Sequence, residues 1–393
     1  YPVRIVAASD VYKRQDAMKG PFKQNWIAAA KVQFDKNKHA ATYSLPFLRS
    51  KLPVDKKILQ SLLICEVKRT DTPNIWELKV RECNVGTSQV RGIDFDESYC
   101  PTAEPLSIKS SLAVAASQKK FVAVIDIKNA FQTTLRNDNE YSYVSMVPYY
   151  RSWIQEVEGI RLDPQEKYVR QQLNATQGNK DASRLFYDTL ASIHEKYKLI
   201  PSTVDHAFFV KAIQSQPTEM MYVSVCTDDL LVVCPTKKDF LDYVAYLKQF
   251  YSLTIQDGPV LNFVSLRIIK SSQGISIDQA DYTMDLVTAH FSGVTSSPNR
   301  ASTPLRYDTE YWNDLATSAP LSPIQNTELE QQYHGSFRHH IGCLQYLATM
   351  TRYDLVYPVQ RLASFNNNPV LLAWEGIHRI YRYLAHDIIT VSY

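Results

Sequence analysis

The chain has 393 residues, 45% of them hydrophobic, and its 43 Lys and Arg nearly balance 40 Asp and Glu for a net charge of +3. This length and apolar content bury a large core in two or more subdomains, and the small net charge excludes a uniformly basic nucleic-acid coat. No apolar run approaches the ~20 residues of a membrane-spanning helix, and the 6 cysteines show no Cys-x-x-Cys pair or metal-ligand spacing, which argues for a reducing compartment.

Charge is uneven along the chain. Residues 1–90 hold 16 Lys and Arg against 8 Asp and Glu, and the remainder holds 27 against 32. A basic N-terminal lobe suits phosphate contacts, and a solvated surface accounts for it equally well.

In chain order, a helix is expected from Ile27 to about Asn37, with strands near Leu59–Lys68 and Trp76–Arg81 around a polar turn at Thr70–Asn74. A helix at Ser107–Gln118 leads into the strand Phe121–Ile127, whose unbroken apolar run reads as buried on both faces. Strands are expected at Tyr141–Tyr150, Lys167–Leu173 and Ala207–Lys211, with a helix at Asp181–Tyr197 and a hairpin at Tyr222–Val233. An amphipathic helix at Lys238–Tyr251 precedes strands at Leu261–Ile269 and Gly274–Ile277. Residues Asn299–Thr327, rich in Ser, Thr, Pro and Asn, read as a loop or linker. Helices at about Phe337–Thr349, Leu355–Phe365 and Pro369–His386 follow, and no repeat is visible.

Acidic residues stand at two strand ends. Asp126 closes the apolar run Phe121–Ile125, and Asp228-Asp229 lie between Tyr222–Thr227 and Leu230–Val233. Two carboxylates ~4 Å apart repel by about 4 kcal/mol at an effective dielectric of ~20. A divalent cation between them removes that cost, and so does a turn that reaches water. One acid from one strand and two from a turn are what a site for two Mg²⁺ requires. The competing reading is equally open at this point: Asp126 caps the following helix and Asp228-Asp229 form an ordinary turn.

The neighbouring residues favour the metal reading. Phe131 lies five residues past Asp126, where an aromatic ring can stack under a sugar and exclude a 2′-hydroxyl. Downstream, Gln177-Gly178-Asn179-Lys180-Asp181 opens a helix whose first turn offers Gln177, Lys180 and Arg184 to an anion, although on these residues alone an ordinary solvated helix start accounts for them more readily.

In this order the segments resemble the reverse transcriptase domain of copia-type LTR retrotransposons, from about Ala17 to the C-terminus. Asp126-Ile127-Lys128-Asn129-Ala130-Phe131 is similar to the family's Asp-Val-Lys-x-Ala-Phe block. Gly178-Asn179-Lys180-Asp181-Ala182-Ser183-Arg184 is similar to Gly-Leu-Lys-Gln-Ala-x-Arg, and Thr227–Leu231 to x-Asp-Asp-Leu-Leu. Gly92–Pro101, Ile341–Ala348, Thr351–Asp354 and Arg382–Leu384 resemble its outlying blocks. The departures are Cys226 for a Tyr, Asp181 for a Gln, Phe263-Val264-Ser265 for Phe-Leu-Gly, and Tyr353 for a Pro.

The resemblance implies an α+β right-hand polymerase, with fingers, thumb and an antiparallel palm sheet backed by helices. Residues 1–15 match nothing in it and are set apart, 16–262 form fingers and palm, and 263–393 form the primer grip, thumb and a linker toward an absent ribonuclease H domain. It implies RNA-directed DNA polymerase activity on a primed RNA or DNA template with dNTPs, within a larger Pol polyprotein carrying integrase and ribonuclease H. Asp126, Asp228 and Asp229 would hold two Mg²⁺. Lys79 and Arg81 would hold triphosphate, Phe131 would select the sugar, and Gln177 and Lys180 would line the nucleotide. A cytoplasmic location, in virus-like particles, without membrane, accompanies such an element. A degenerate copy that binds nucleic acid without catalysis is the alternative. His339, His340 and Cys343 could suggest a metal site, yet they fall on a thumb-like helix and read as structural.

Overall fold

In the computed structural model, residues 9–13, 17, 19–69, 76–136, 142–147, 149–213, 216–292, 299–386 and 389–393 are described. The centre is a six-stranded sheet in which every neighbouring pair is antiparallel. Its strands run in the order Leu253–Gln256, Phe121–Ile127, Asp229–Cys234, Gln216–Cys226, Phe208–Ile213 and Ile200–Pro201. Val122–Ile125 and Leu230–Cys234 are buried on both faces, as their apolar runs imply.

Helices pack against this sheet through side chains at helical spacing. Ala182–Lys196 buries Phe186, Leu190 and Ile193. Pro105–Gln118 starts on a proline at its first turn, where no N–H partner is needed, and ends on Lys119 in the left-handed region. Lys237–Leu247 is fixed by a capping box between Thr236 and Asp239. This architecture meets the expected α+β class with an antiparallel palm.

The palm core runs past residue 262. Val260–Phe263, Leu266–Ser271, Gly274–Asp278 and Val391–Ser392 form a second antiparallel sheet, and Leu261, Phe263, Leu266, Ile268 and Ile277 pack into the same core. The single strand expected at Leu261–Ile269 is two strands. Val264 and Ser265 form the turn between them, both at positive φ (49° and 60°).

The N-terminal lobe has its own core around Trp26, Phe34, Cys65, Val80, Tyr150 and Ile154. The helix Lys23–His39 covers a sheet ordered Ser9–Lys13, Ser61–Arg69, Trp76–Asn84. Ser9–Lys13 lies within the stretch set apart on sequence grounds, yet it pairs as an edge strand with Ile64–Lys68. The polar turn expected at 70–74 lies outside the described residues. Of the expected strand 141–150, Tyr143–Ser145 is a strand, and residues 141 and 148 lie outside the described residues. Tyr150 instead opens the helix Tyr150–Glu158, because Tyr150 and Ile154 bury one turn apart.

The C-terminal lobe is helical around Leu344, Leu347, Val359, Trp374, Ile377 and Tyr381. The loop expected at Asn299–Thr327 is corrected: Thr309–Thr317 and Pro323–Gln332 are helices. Asp308 accepts from the Tyr311 N–H at 2.9 Å, and Ser322 forms a capping box with Gln325. These caps stood in the sequence as Asp-x-x and Ser-Pro-x-Gln, beneath a composition that reads as linker.

Candidate active site

Strand register brings the three aspartates to one end of the palm sheet. Asp126 stands directly opposite Asp229, and Asp229 opposite Cys226. Directly opposed residues project from the same sheet face with Cβ atoms about 5 Å apart. The Ile127 N–H donates to the Asp228 carbonyl at 2.9 Å, which pins the turn to the neighbouring strand. Thr227, the first residue of that two-residue turn, has φ of 57°. A β-branched residue there stores strain, and such outliers gather where a fold holds functional groups in place.

The electrostatics follow from this convergence. Burial raises the Asp228 carboxyl, the Asp126 charge raises it further, and Lys79 and Arg81 pull it down. Asp229 is pushed up to about 6, by burial first and then by the charges of Asp228 and Asp126. Three half-buried carboxylates at one sheet end offer hard oxygen donors and surplus negative charge, which fits a divalent cation in donor type and charge. Among the described residues, however, no three His, Cys, Asp or Glu side chains converge into a group that could hold a metal ion. The backbone register and the mutual repulsion of the three carboxylates both suit a cation site.

The other expected residues divide into two groups. Lys79 and Arg81 lie on Trp76–Asn84, their charges reach Asp228, and Arg81 also pairs with Glu66. Phe131 sits in a 3₁₀ turn beyond Asp126, with its ring edge-on to Phe186 at 6.4 Å. Gln177 accepts from Gln132 Nε2 at 3.0 Å. Lys180 is drawn elsewhere: its Nζ donates to the Gln89 carbonyl at 2.9 Å and lies 5.6 Å from the Phe95 ring centre.

The family whose description is Reverse transcriptase (RNA-dependent DNA polymerase) matches residues 45–305. The chain belongs to the reverse transcriptase family. It is 29% identical over 308 residues to the retrovirus-related Pol polyprotein from transposon RE2 of Arabidopsis thaliana, covering 78% of this chain and 19% of that one. It is 24% identical over 375 residues to the corresponding polyprotein from transposon TNT 1-94 of Nicotiana tabacum, covering 94% of this chain and 26% of that one. The chain thus spans about a fifth to a quarter of the relatives' length. A solved structure of the foamy viral protease-reverse transcriptase dRH in complex with ds DNA is similar at TM-score 0.41 and 11% identity, over 91% of this chain and 48% of that one.

For a reverse transcriptase, the supports of the segment that carries Gln177 and Lys180 are the part sequence reasoning missed. Asn84 Nδ2 donates into a buried cluster of Gln172, Thr176 and Asn179 at 2.8–3.1 Å, and the Asn84 N–H donates to the Gln177 carbonyl at 2.9 Å. Gly178 has φ of 89°, and a Cβ there would meet the Asn84 carbonyl oxygen at 2.0 Å. The glycine in this reverse transcriptase block is therefore required twice over, by conformation and by close approach. The Asp181 departure also has a partner: its carboxylate takes a two-pronged pair from Arg136 at 2.8 and 3.2 Å. His340 is buried against the Tyr381 hydroxyl at 3.0 Å, and His339 faces Cys343 at 3.8 Å, an arrangement of packing within the thumb.

Proposed function

We propose that this reverse transcriptase chain extends a primer on an RNA or DNA template, using Asp126, Asp228 and Asp229 as its catalytic carboxylates. The observation that supports this most is the register that sets Asp126 opposite Asp229 beside Asp228. Two Mg²⁺ held by the three aspartates would neutralise phosphate charge and activate the primer hydroxyl. The 3′-hydroxyl loses its proton to solvent, and its oxygen attacks the α-phosphorus and forms the new P–O bond. The bond from that phosphorus to the bridging oxygen breaks, and pyrophosphate leaves with the electron pair. Lys79 and Arg81, already within reach of Asp228, neutralise the triphosphate. Phe131, braced on Phe186, closes the space a 2′-hydroxyl would need. Gln177, fixed by Gln132 and Asn84, lines the incoming nucleotide. Lys180 joins it only on releasing the Gln89 carbonyl. Positioning and charge neutralisation then supply most of the rate.

The template with its primer, dNTPs, a larger Pol polyprotein with integrase and ribonuclease H, and cytoplasmic virus-like particles complete this proposal. The test is primer extension on poly(rA)/oligo(dT) with Mg²⁺ by the Asp228→Asn variant. Extension falls at least about 10²-fold if a transition-state charge contact is lost, and unchanged extension removes the role. The departures at Cys226, Asp181 and Ser265 motivate a second reading, a copy that grips nucleic acid without chemistry. Tight primer–template binding with no extension by the unmodified chain in Mg²⁺ or Mn²⁺ would establish that reading.

A further inference from the structure

The thumb contains a cavity of about 260 Å³, lined by the helix Leu371–Leu384 and by residues of the Thr309–Thr317 helix and the segment before it. Arg306, Arg379, Arg382 and His378 line it, and Glu375 is the one acid in its wall among the described residues. This basic lining lies apart from the palm, in a separate hydrophobic core.

Arg379 and Arg382 are held open rather than neutralised. Arg379 donates from Nε and Nη2 to the Thr303 carbonyl and hydroxyl at 3.1 and 2.9 Å, and Arg382 donates from Nε to the Asn299 carbonyl at 2.7 Å. Neither forms an ion pair with a carboxylate among the described residues. Only Arg306, at the exposed rim, is neutralised, by Asp308 at 2.9 Å through two bonds. Arg379 and Arg382 are three apart on one helix and so share a face, where like charges repel. Their field is felt in the wall: burial and then the Arg382 charge lower the His378 pKa.

We propose that this thumb cavity binds a phosphate group, gripped by Arg379 and Arg382 with Arg306 at the entrance. Guanidinium forks match phosphate oxygens in geometry and charge, and main-chain carbonyls hold both forks without consuming their charge. The nearby C-terminal end of the helix opposes an anion. That dipole fades within a turn and is screened by salt, so two guanidiniums outweigh it. A free phosphate compound and the backbone of a polynucleotide present the same group to this site.

The test titrates the full chain, at fixed ionic strength, with inorganic phosphate, pyrophosphate and a short oligothymidylate, read by calorimetry and by shift of the melting midpoint. Saturable binding is expected, weakened about tenfold or more by Arg382→Gln, since a charge-assisted contact is lost. Glu375→Gln, an exposed change that removes the opposing acid, should tighten binding severalfold and serves even if Arg382→Gln impairs folding. Oligothymidylate binding that phosphate displaces assigns the group to a polynucleotide, and binding of the small anions alone assigns it to a free phosphate compound. No saturable binding of any of the three, or affinities indifferent to both substitutions, overturns the proposal.

Discussion

Replacing Asp181 by glutamine restores the residue usual in the family's block and should nevertheless destabilise this chain. The Asp181 and Arg136 side chains are 5% and 0% exposed, and two hydrogen bonds join them. Neutralising the aspartate takes a two-pronged carboxylate partner from the buried Arg136 guanidinium, and breaking such a pair costs about 3–5 kcal/mol. An amide oxygen keeps one acceptor, so about 2–3 kcal/mol is the expected loss for Asp181→Asn, with at least as much for the longer Asp181→Gln. In urea this lowers the midpoint of the affected transition by about 1 M. The companion Arg136→Met and the double variant complete a cycle. The double variant should be less damaged than the two single losses added together, with a coupling of about 2 kcal/mol. A glutamine variant as stable as its parent, or losses that simply add, would refute the claim that this pair compensates the departure.

Other consequences follow from the same geometry. Gly178→Ala should cost several kcal/mol and lower the melting midpoint, because its Cβ falls 2.0 Å from the Asn84 carbonyl oxygen at a φ of 89°. Val264→Asn with Ser265→Gly places favoured residues in a turn whose two φ values are positive, and should add about 1–2 kcal/mol of stability, read as a higher melting midpoint. Without metal, Asp229 titrates near 6 in the folded chain, above its unfolded value. The folded state then binds more protons between about 4 and 6, so its contribution to stability is present below that window and is lost as pH rises through 6. Urea titrations across this window should show the decline, Asp229→Asn should flatten it, and Mg²⁺ should stabilise more above pH 6 than below it.

What could be read in advance depended on range. The strand Phe121–Ile127 was legible from its continuous apolar run, and the hairpin around the paired aspartates from flanking β-prone residues, since both signals are local. The turn itself is Thr227-Asp228, one residue before the Asp228-Asp229 turn expected, and Asp229 opens the next strand. The helices at Thr309–Thr317 and Pro323–Gln332 were hidden because Ser, Thr and Pro serve both as caps and as linker residues. Val264-Ser265 carries no Asn or Gly to announce a tight turn, so a hairpin read as one strand. Within the site, the aspartates could be found by type and spacing. The Asn84 cluster, the Gln89 hold on Lys180 and the Arg136–Asp181 pair join residues 45 to 95 positions apart, and no local pattern signals them.

Asp126 belongs to a different strand from the other two aspartates, so it tests the site as a unit. Rates of dTMP incorporation on primed poly(rA) with Mg²⁺, compared between the parent chain and Asp126→Asn, should differ by about 10³-fold or more at equal primer–template binding. Equal rates in the two proteins would contradict a polymerase centre built on this register.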